Sequence, residues 1–415
     1  MMREAKSSGI AWIGTIPKCW ETDKLKYHLR RNEPRNPGDV VVLSLYRELG
    51  VIPKDSRDDN HNVTSEDTSK YKYVRPGDFV INKMKAWQGS VAVSEYEGIV
   101  SPAYFVYEFT DDTIFKRYFH YLLRSCYKDE FMRLSGGIRV GQWDLPADAL
   151  ENTPILIPPM DEQCRIADFL DTKCAEIDAL TADIQTQIDT LEQYKRSVIT
   201  ETVTKGLNPN AEMKDSGIQW IGDMPVHWNV IRGKYILHYM QKPVREDDGV
   251  ITCFRDGEVT LRSNRREEGF TMSDKEIGYQ GIDVGDLVVH GMDGFAGSIG
   301  ISDSRGKASP VLNVLETDQN KQYIMYYLRS MAYSDVFLAL ATGIRVRSCD
   351  LRWNKLADLS YPVPPLDEQK AIVGHIDAVL AKADAVISDK KAQLATLDEY
   401  KKSLIFEYVT GKKEV

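Results

Sequence analysis

The heptapeptide SGIAWIG at residues 8–14 returns as SGIQWIG at residues 216–222, which is 216 − 8 = 208 positions later in a chain of 415. A repeat of that period governs the whole fold, because each copy must then build the same supersecondary unit. The register holds over a long stretch. Trp12, Pro17 and Trp20 recur as Trp220, Pro225 and Trp228, and PGDFVIN at 76–82 recurs as VGDLVVH at 284–290. Gly89-Ser90 and Ser101-Pro102 match Gly297-Ser298 and Ser309-Pro310. The spacing then slips to 206: GIRV at 137–140 pairs with 343–346, PPMDEQ at 158–163 with PPLDEQ at 364–369, and LEQYKRSVITETVT at 191–204 with LDEYKKSLIFEYVT at 397–410. One segment has been duplicated.

Each half opens with short β-rich runs (VVVLSLY, KYVRPGDFVIN, SVAVSEY, AYFVYEF) broken by Gly, Asp and Pro, and carries one helical stretch near 115–134. This predicts a mixed α/β domain with a twisted antiparallel sheet. A Pro-Pro pair ends the domain, and Asp161 or Asp367 is placed to cap the helix that follows.

That helix is long. Leu170, Ile177, Ile184, Leu191 and Val198 recur every seven residues, Leu180, Ile188 and Tyr194 widen the stripe, and no Pro or Gly intervenes between Pro159 and Gly206. In the second copy Ile376, Ala383, Leu397 and Leu404 keep the phase, joined by Val379, Val386, Leu394 and Tyr400, with Lys390 on the seam. Forty helical residues run about 60 Å. A heptad repeat over that length implies a coiled coil, and the simplest partner for each helix is the other copy. The competing arrangement packs each helix on its own domain. An exposed apolar stripe of that length would invite aggregation, which favours pairing. The expected order is a first domain (1–157), a first helix (158–206), a second domain (207–363) and a second helix (364–415). The tail VTGKKEV is then expected to lead back toward SSGIAW, so that the ends lie near one another.

SGI-WIG-P-W at the head of each half, GIR-V near its end, PP-DEQ opening the helix and EYKKSLI closing it resemble, in fixed order and twice over, the specificity subunit of type I restriction-modification enzymes. The resemblance implies two target-recognition domains, each reading one half of a bipartite double-stranded DNA site, and an antiparallel helical spacer that docks two methylation subunits. Motor and restriction subunits join outside these. The resemblance implies no catalysis and no cofactor in this chain; S-adenosylmethionine, ATP and Mg belong to the partner subunits. The two helices offer equivalent docking positions at Tyr194-Lys195 and Tyr400-Lys401. Framing motifs repeat well, yet residues 55–70 (DSRDDNHNVTSEDTSK) scarcely resemble 263–278 (SNRREEGFTMSDKEIG). Two readers on one scaffold need that combination, because particular side chains read base edges while the frame positions them.

For DNA contact the loop NKMKAWQGS at 82–90 offers Lys83 and Lys85 for phosphates, Gln88 for an adenine edge and Trp87 for stacking or packing. Its counterpart HGMDGFAGS, beginning at His290, has lost both lysines and gained Asp293, a carboxylate that can accept from cytosine or sit in solvent. Arg139 and Arg345 share a place in GIRV, and Arg347 occurs in the second copy alone; each can meet DNA or pair with a buried acid. Arg262, Arg265 and Arg266 precede Glu267 and Glu268, so a solvated charged hairpin competes with a DNA contact there.

The formal charge of −9 counts against a nucleic-acid binder until its distribution is considered. Many acids fall on the first long helix, from Asp161 to Glu192, and binding follows the local field. A reader this weakly basic is expected to lean on partners for phosphate contacts.

No phosphate loop, GxGxxG, HExxH or amino-methyltransferase motif occurs in the sequence. Six cysteines without a CxxC pair read as small hydrophobes, and seven histidines lack metal-ligand spacing. The charged N-terminal stub predicts no signal peptide, no segment predicts a membrane span, and the cytoplasm is the expected compartment. Two other classes remain: a non-catalytic coiled-coil scaffold with protein-binding β-rich domains, and a stand-alone DNA enzyme, against which the missing motifs weigh.

Overall fold

The computed structural model describes residues 3–38, 40–47, 49–56, 64–65, 67–137, 143–265, 277–340 and 351–415. Among these the helices are α1 (Lys116–Cys126), α2 (Lys128–Leu134), α3 (Ala147–Glu151), α4 (Met160–Lys205), α5 (Lys321–Tyr333), α6 (Val336–Ala339), α7 (Trp353–Asp358) and α8 (Leu366–Val409). The chain forms two compact units, one of Met1–Ile184 with Ala392–Val415 and one of Gln185–Lys391.

In the first unit a four-stranded antiparallel sheet runs in the order Leu29–Arg31, Tyr104–Phe109, Phe79–Asn82, Val91–Val93. Both of its faces are covered, which is why the strand FVIN is buried throughout instead of alternating. Phe79, Ile81, Val91 and Tyr107 face the core built with Phe119, Leu122 and Leu123 of α1, while Val80, Ala92 and Val106 pack beneath Leu43, Leu45 and Val51 of the hairpin Leu43–Tyr46/Gly50–Pro53.

The second unit repeats this strand for strand. His238–Met240, Leu312–Glu316, Leu287–His290 and Ile299–Ile301 form the sheet, α5 covers one face, and the hairpin Ile251–Cys253/Val259–Leu261 covers the other.

The heptapeptide is a closed turn. Ser8 N–H donates to the Gly14 carbonyl at 2.8 Å and Gly14 N–H to that of Ile10 at 2.9 Å, with Ser216, Gly222 and Ile218 repeating both bonds at 3.1 and 2.9 Å. It sets Ile10, Ile13 and Trp20 into the first core, where Trp20 meets Tyr118 edge-on at 6.4 Å. The end of α8 belongs to the same unit: the Tyr118 hydroxyl donates to the Val409 carbonyl at 2.9 Å and Lys412 Nζ to that of Ile13 at 3.0 Å. Gly411 turns here with φ +69°, and a Cβ on it would stand 2.5 Å from Pro17. The end of the chain thus returns to the first motif. In the second unit Tyr323 makes the corresponding bond to Val203 at 3.0 Å.

The two long helices pair antiparallel within each unit. Lys401 meets Asp178 at 2.5 Å in the first, and Lys195 meets Asp384 at 2.6 Å in the second. Leu170, Ile177, Ile184, Ile376, Ala383 and Leu404 are buried, with Ile188 and Ile387 beside them. Leu191, Val198 and Leu397 are partly buried. The stripe is narrower than its sequence pattern: Leu180 and Val386 are exposed, as are Tyr194 and Tyr400. A straight helix drifts against a strict seven-residue repeat, so toward the helix ends the buried face moves on, from Val198 to Ile199 and Val203, which enter the second core. Lys390 donates to Gln187. Both long helices begin before the expected caps, at Met160 and Leu366, so Asp161 and Asp367 fall in the first turn, where the helix dipole favours acids. Asp161 pairs there with Arg165 at 2.7 Å.

Candidate nucleic-acid interface

In the first unit residues 82–90 leave the sheet and make a 3-10 turn, Ala86–Gln88, which closes on Gly89 in the left-handed region. The loop is stitched down on both sides: Lys83 N–H donates to Ala103 at 3.1 Å and its carbonyl accepts from Leu145 at 3.0 Å. Lys83 Nζ reaches Asp144 at 3.0 Å, and Trp87 donates to the Met84 carbonyl at 3.1 Å while standing edge-on to Trp143 at 5.5 Å. Lys85 is exposed. Gln88 is held through its side-chain oxygen by the guanidinium of Arg47.

Below the loop, three cations surround the Phe105 ring: Arg31 at 4.4 Å, Lys72 at 5.4 Å and Lys83 at 5.9 Å. Burial pushes the Lys72 ammonium below its ordinary range, and Glu33, 2.8 Å away, offsets part of that.

The second unit keeps the frame and changes the chemistry. The turn Gly294–Ala296 closes on Gly297, also left-handed. His290 Nδ1 accepts from the backbone N–H of Asp293 at 2.9 Å and of Met292 at 3.2 Å, and burial pushes its pKa down, so the neutral ring organises its own loop. Asp293 accepts from Arg255 at 3.1 Å. In place of Phe105 and Lys72 stand Asn313 and Gln280, both buried; Asn313 donates to Val289 at 3.2 Å and Leu351 at 3.0 Å, and Gln280 to Leu312 at 2.8 Å. A cationic floor in one unit answers to an amide floor in the other.

Arg262 donates to Thr252 at 3.3 Å. Arg265 packs over Phe254 at 4.2 Å and pairs with Asp256 at 2.7 Å and Glu258 at 3.1 Å, which makes it part of a charged hairpin end. Arg139, Arg266, Arg345 and Arg347 lie outside the described residues. On the helices Tyr194 and Tyr400 are 52% and 54% exposed, whereas Lys195 and Lys401 are engaged across the helix pair.

Sequence reasoning missed Arg47 and Arg255 at the hairpin turns, and Arg31 and Lys72 beneath the first loop. The first two carried a signal, since they align in the 208-residue register. Among the described residues no group of three His, Cys, Asp or Glu could hold a metal ion, and no helix is long and apolar enough to cross a membrane.

A family model described as Type I restriction modification DNA specificity domain matches residues 28–190. The putative type I restriction enzyme MjaX specificity subunit of Methanocaldococcus jannaschii is 24% identical over 444 residues, covering 97% of this chain and 96% of that protein. The MjaVIII specificity subunit of the same organism is 24% identical over 423 residues, covering 96% and 94%. A solved chain described as "Structural basis underlying complex assembly and conformational transition of the type I R-M system" has the same fold at a TM-score of 0.69 and 16% identity, covering 96% of this chain and 99% of that one. The HsdS subunit from Thermoanaerobacter tengcongensis matches at 0.50 and 16%, covering 96% and 98%.

Proposed function

We infer that this chain, a specificity subunit of the type I restriction-modification family, gives such a complex its DNA sequence preference, each unit reading one half of a bipartite target. One observation carries the two-reader assignment. The sheet, the loop turn and the long helices repeat, while the floors under the loops differ in charge and in hydrogen-bonding type: Arg31, Lys72 and Lys83 around Phe105 in one, Gln280 and Asn313 in the other. Phosphate contacts position a protein and groove contacts specify, so a constant frame with altered loop chemistry suits two different half-sites.

The segments 1–157 and 207–363 serve as the readers, and 158–206 and 364–415 as the spacer that docks two methylation subunits. Exposed Tyr194 and Tyr400, at matching places on α4 and α8, suit equivalent docking. Tyrosine is enriched at interfaces, where it supplies contact area at low entropic cost. S-adenosylmethionine, ATP and Mg then act in the methylation and motor subunits, and the complex works in the cytoplasm with host DNA. Methylation mapping of host DNA, with and without this gene, tests the assignment. A gapped motif that vanishes with the gene supports it, and an unchanged methylome counts against it. Native mass spectrometry of the co-expressed complex should show two methylation subunits for each copy of this chain.

A further inference from the structure

The two hairpins that cover the sheets carry a device found in both units. In the first, Arg47 stands in the turn between Leu43–Tyr46 and Gly50–Pro53, and its Nη2 donates to Gln88 of the reading loop. In the second, Arg255 stands in the turn between Ile251–Cys253 and Val259–Leu261, and its Nη2 donates to Asp293 of the counterpart loop at 3.1 Å.

Each hairpin end is also braced from the helix under the sheet. Arg124 of α1 donates to the Arg47 carbonyl, and Arg329 of α5 donates to the Asp256 carbonyl at 2.7 Å. The second brace is close-fitting: Gly257 turns with φ +91°, and a Cβ there would stand 2.6 Å from Arg329 Nη1.

Stability alone gives little reason for this arrangement. Arg47 is exposed, and the Arg255 side chain is 68% exposed with its Asp293 partner at 38%. Exposed pairs of this kind add little to folding. What the pairing does is fix a planar fork. With one terminal nitrogen tied back to the loop, the guanidinium keeps most of its five N–H donors and loses its freedom to rotate. A fork held in that way matches the O6 and N7 acceptors of guanine in the major groove, the commonest specific arginine contact with DNA.

We propose that Arg47 and Arg255 are guanine readers, one in each unit, and that Gln88 and Asp293 are positioning residues that aim them. The assignment rests on the DNA-reading function above. It also gives Gln88 a different task from the adenine contact expected of it, since its oxygen is occupied by Arg47 in the free chain.

The test uses the full chain co-expressed with its methylation partners and a random-sequence duplex library. The wild type should enrich a gapped motif with at least one guanine pair in each half. Arg47→Lys keeps the charge but removes the fork, and should lower discrimination for one guanine in one half by about tenfold to a hundredfold, leaving the other half intact. Arg255→Lys should do the same in the opposite half. Gln88→Ala should weaken selection at the Arg47 position by a smaller factor. Both lysine substitutions alter an exposed side chain, and unchanged circular dichroism confirms the fold. A wild-type motif lacking guanine in a half overturns the proposal, as does full guanine selection in the lysine variants. A uniform loss of affinity with base preferences intact would make the arginines phosphate clamps and overturn it too. Failure of the wild type to enrich any sequence would instead defeat the DNA-reading function itself.

Discussion

Gln163 of PPMDEQ is 1% exposed and makes three hydrogen bonds. Its side-chain oxygen accepts from Phe115 N–H at 2.7 Å, and its amide nitrogen donates to the carbonyls of Thr113 and Pro158, each at 2.8 Å. Phe115 is the N-cap of α1 and offers no side-chain cap of its own. A glutamine 48 residues away therefore ties down the start of that helix while holding the start of α4. Gln163→Ala strands the Phe115 N–H, at about 1–3 kcal/mol, removes one partner from each of two carbonyls, and leaves a small void. The total comes to about 3–4 kcal/mol.

The second copy supplies an internal control. Gln369 accepts from Asn320 N–H at 2.9 Å and donates to Pro364 at 2.8 Å and to the Gln319 side chain at 2.7 Å. Here Asn320 caps α5 itself, accepting from Gln322 and Tyr323 N–H, and Gln319 can turn to water. Gln369→Ala should cost less, about 2 kcal/mol. Hydrogen exchange by mass spectrometry on the full chain resolves the two sites. Peptides covering Lys116–Cys126 should lose two to three decades of protection in Gln163→Ala, at about 1.4 kcal/mol per decade, and peptides covering Lys321–Tyr333 about one to two in Gln369→Ala. A loss below about threefold at α1, or a greater loss at α5 than at α1, would refute the clamp.

Lys85→Ala should lower affinity evenly across DNA sequences and reduce the salt slope of binding by about one, whereas Lys83→Ala, whose ammonium already engages Asp144, should change it less. Lys401→Glu should destabilise the first unit by about 0.5–1 kcal/mol and the added Asp178→Lys should recover part of that, as a double-mutant cycle in urea would show. Burial, aided by the charge of Arg124, pushes His120 down to about 4, with its ring accepting from Val93 N–H at 3.3 Å. The folded ring stays neutral where the unfolded one, at about 6.5, takes a proton. Stability of the first unit should therefore be full above about pH 6.5 and fall as the pH drops toward 4, a slope that His120→Met removes in urea titrations across that range.

The duplication, the antiparallel mixed domains and the long helices were legible because each leaves a periodic trace: a recurring motif, short β-rich runs, a seven-residue repeat. The reasons behind the motifs were not. SGIAWIG gives no hint that its serine and glycine close a turn, and DEQ none that its glutamine reaches a helix 48 residues away, since both roles need partners distant in sequence. Heptad counting placed Leu180 and Val386 on the buried stripe because it takes 3.5 residues per turn, whereas a straight helix turns every 3.6 and keeps a narrower face buried. At that period one narrow face of α4 carries Ile166, Leu170 and Ile177 into the first core and Ile199 and Val203 into the second.

The loops show the same limit from the other side. Lys83, Lys85, Trp87 and Gln88 stood out by residue type, but residue type does not reveal what arrives from elsewhere in the fold. Arg47 comes from 41 residues away to take Gln88, and Arg255 from 38 to take Asp293. The braces are harder still to find. Arg47 and Arg255 keep the 208 register, but Arg124 and Arg329 are separated by 205, because the copies differ in length between the sheet and the helix. No single offset aligns hairpin, loop and brace together. Insertions and deletions have moved these residues along the chain, yet in both units the helix arginine still reaches the carbonyl at the hairpin turn, and the turn's own arginine still reaches the loop. A contact re-formed across a change of register depends on the position of the hairpin in space and not on a run of matching residues. If the hairpins read bases as proposed, that is the property such a part needs, since it must present a side chain at a fixed place while the bases differ.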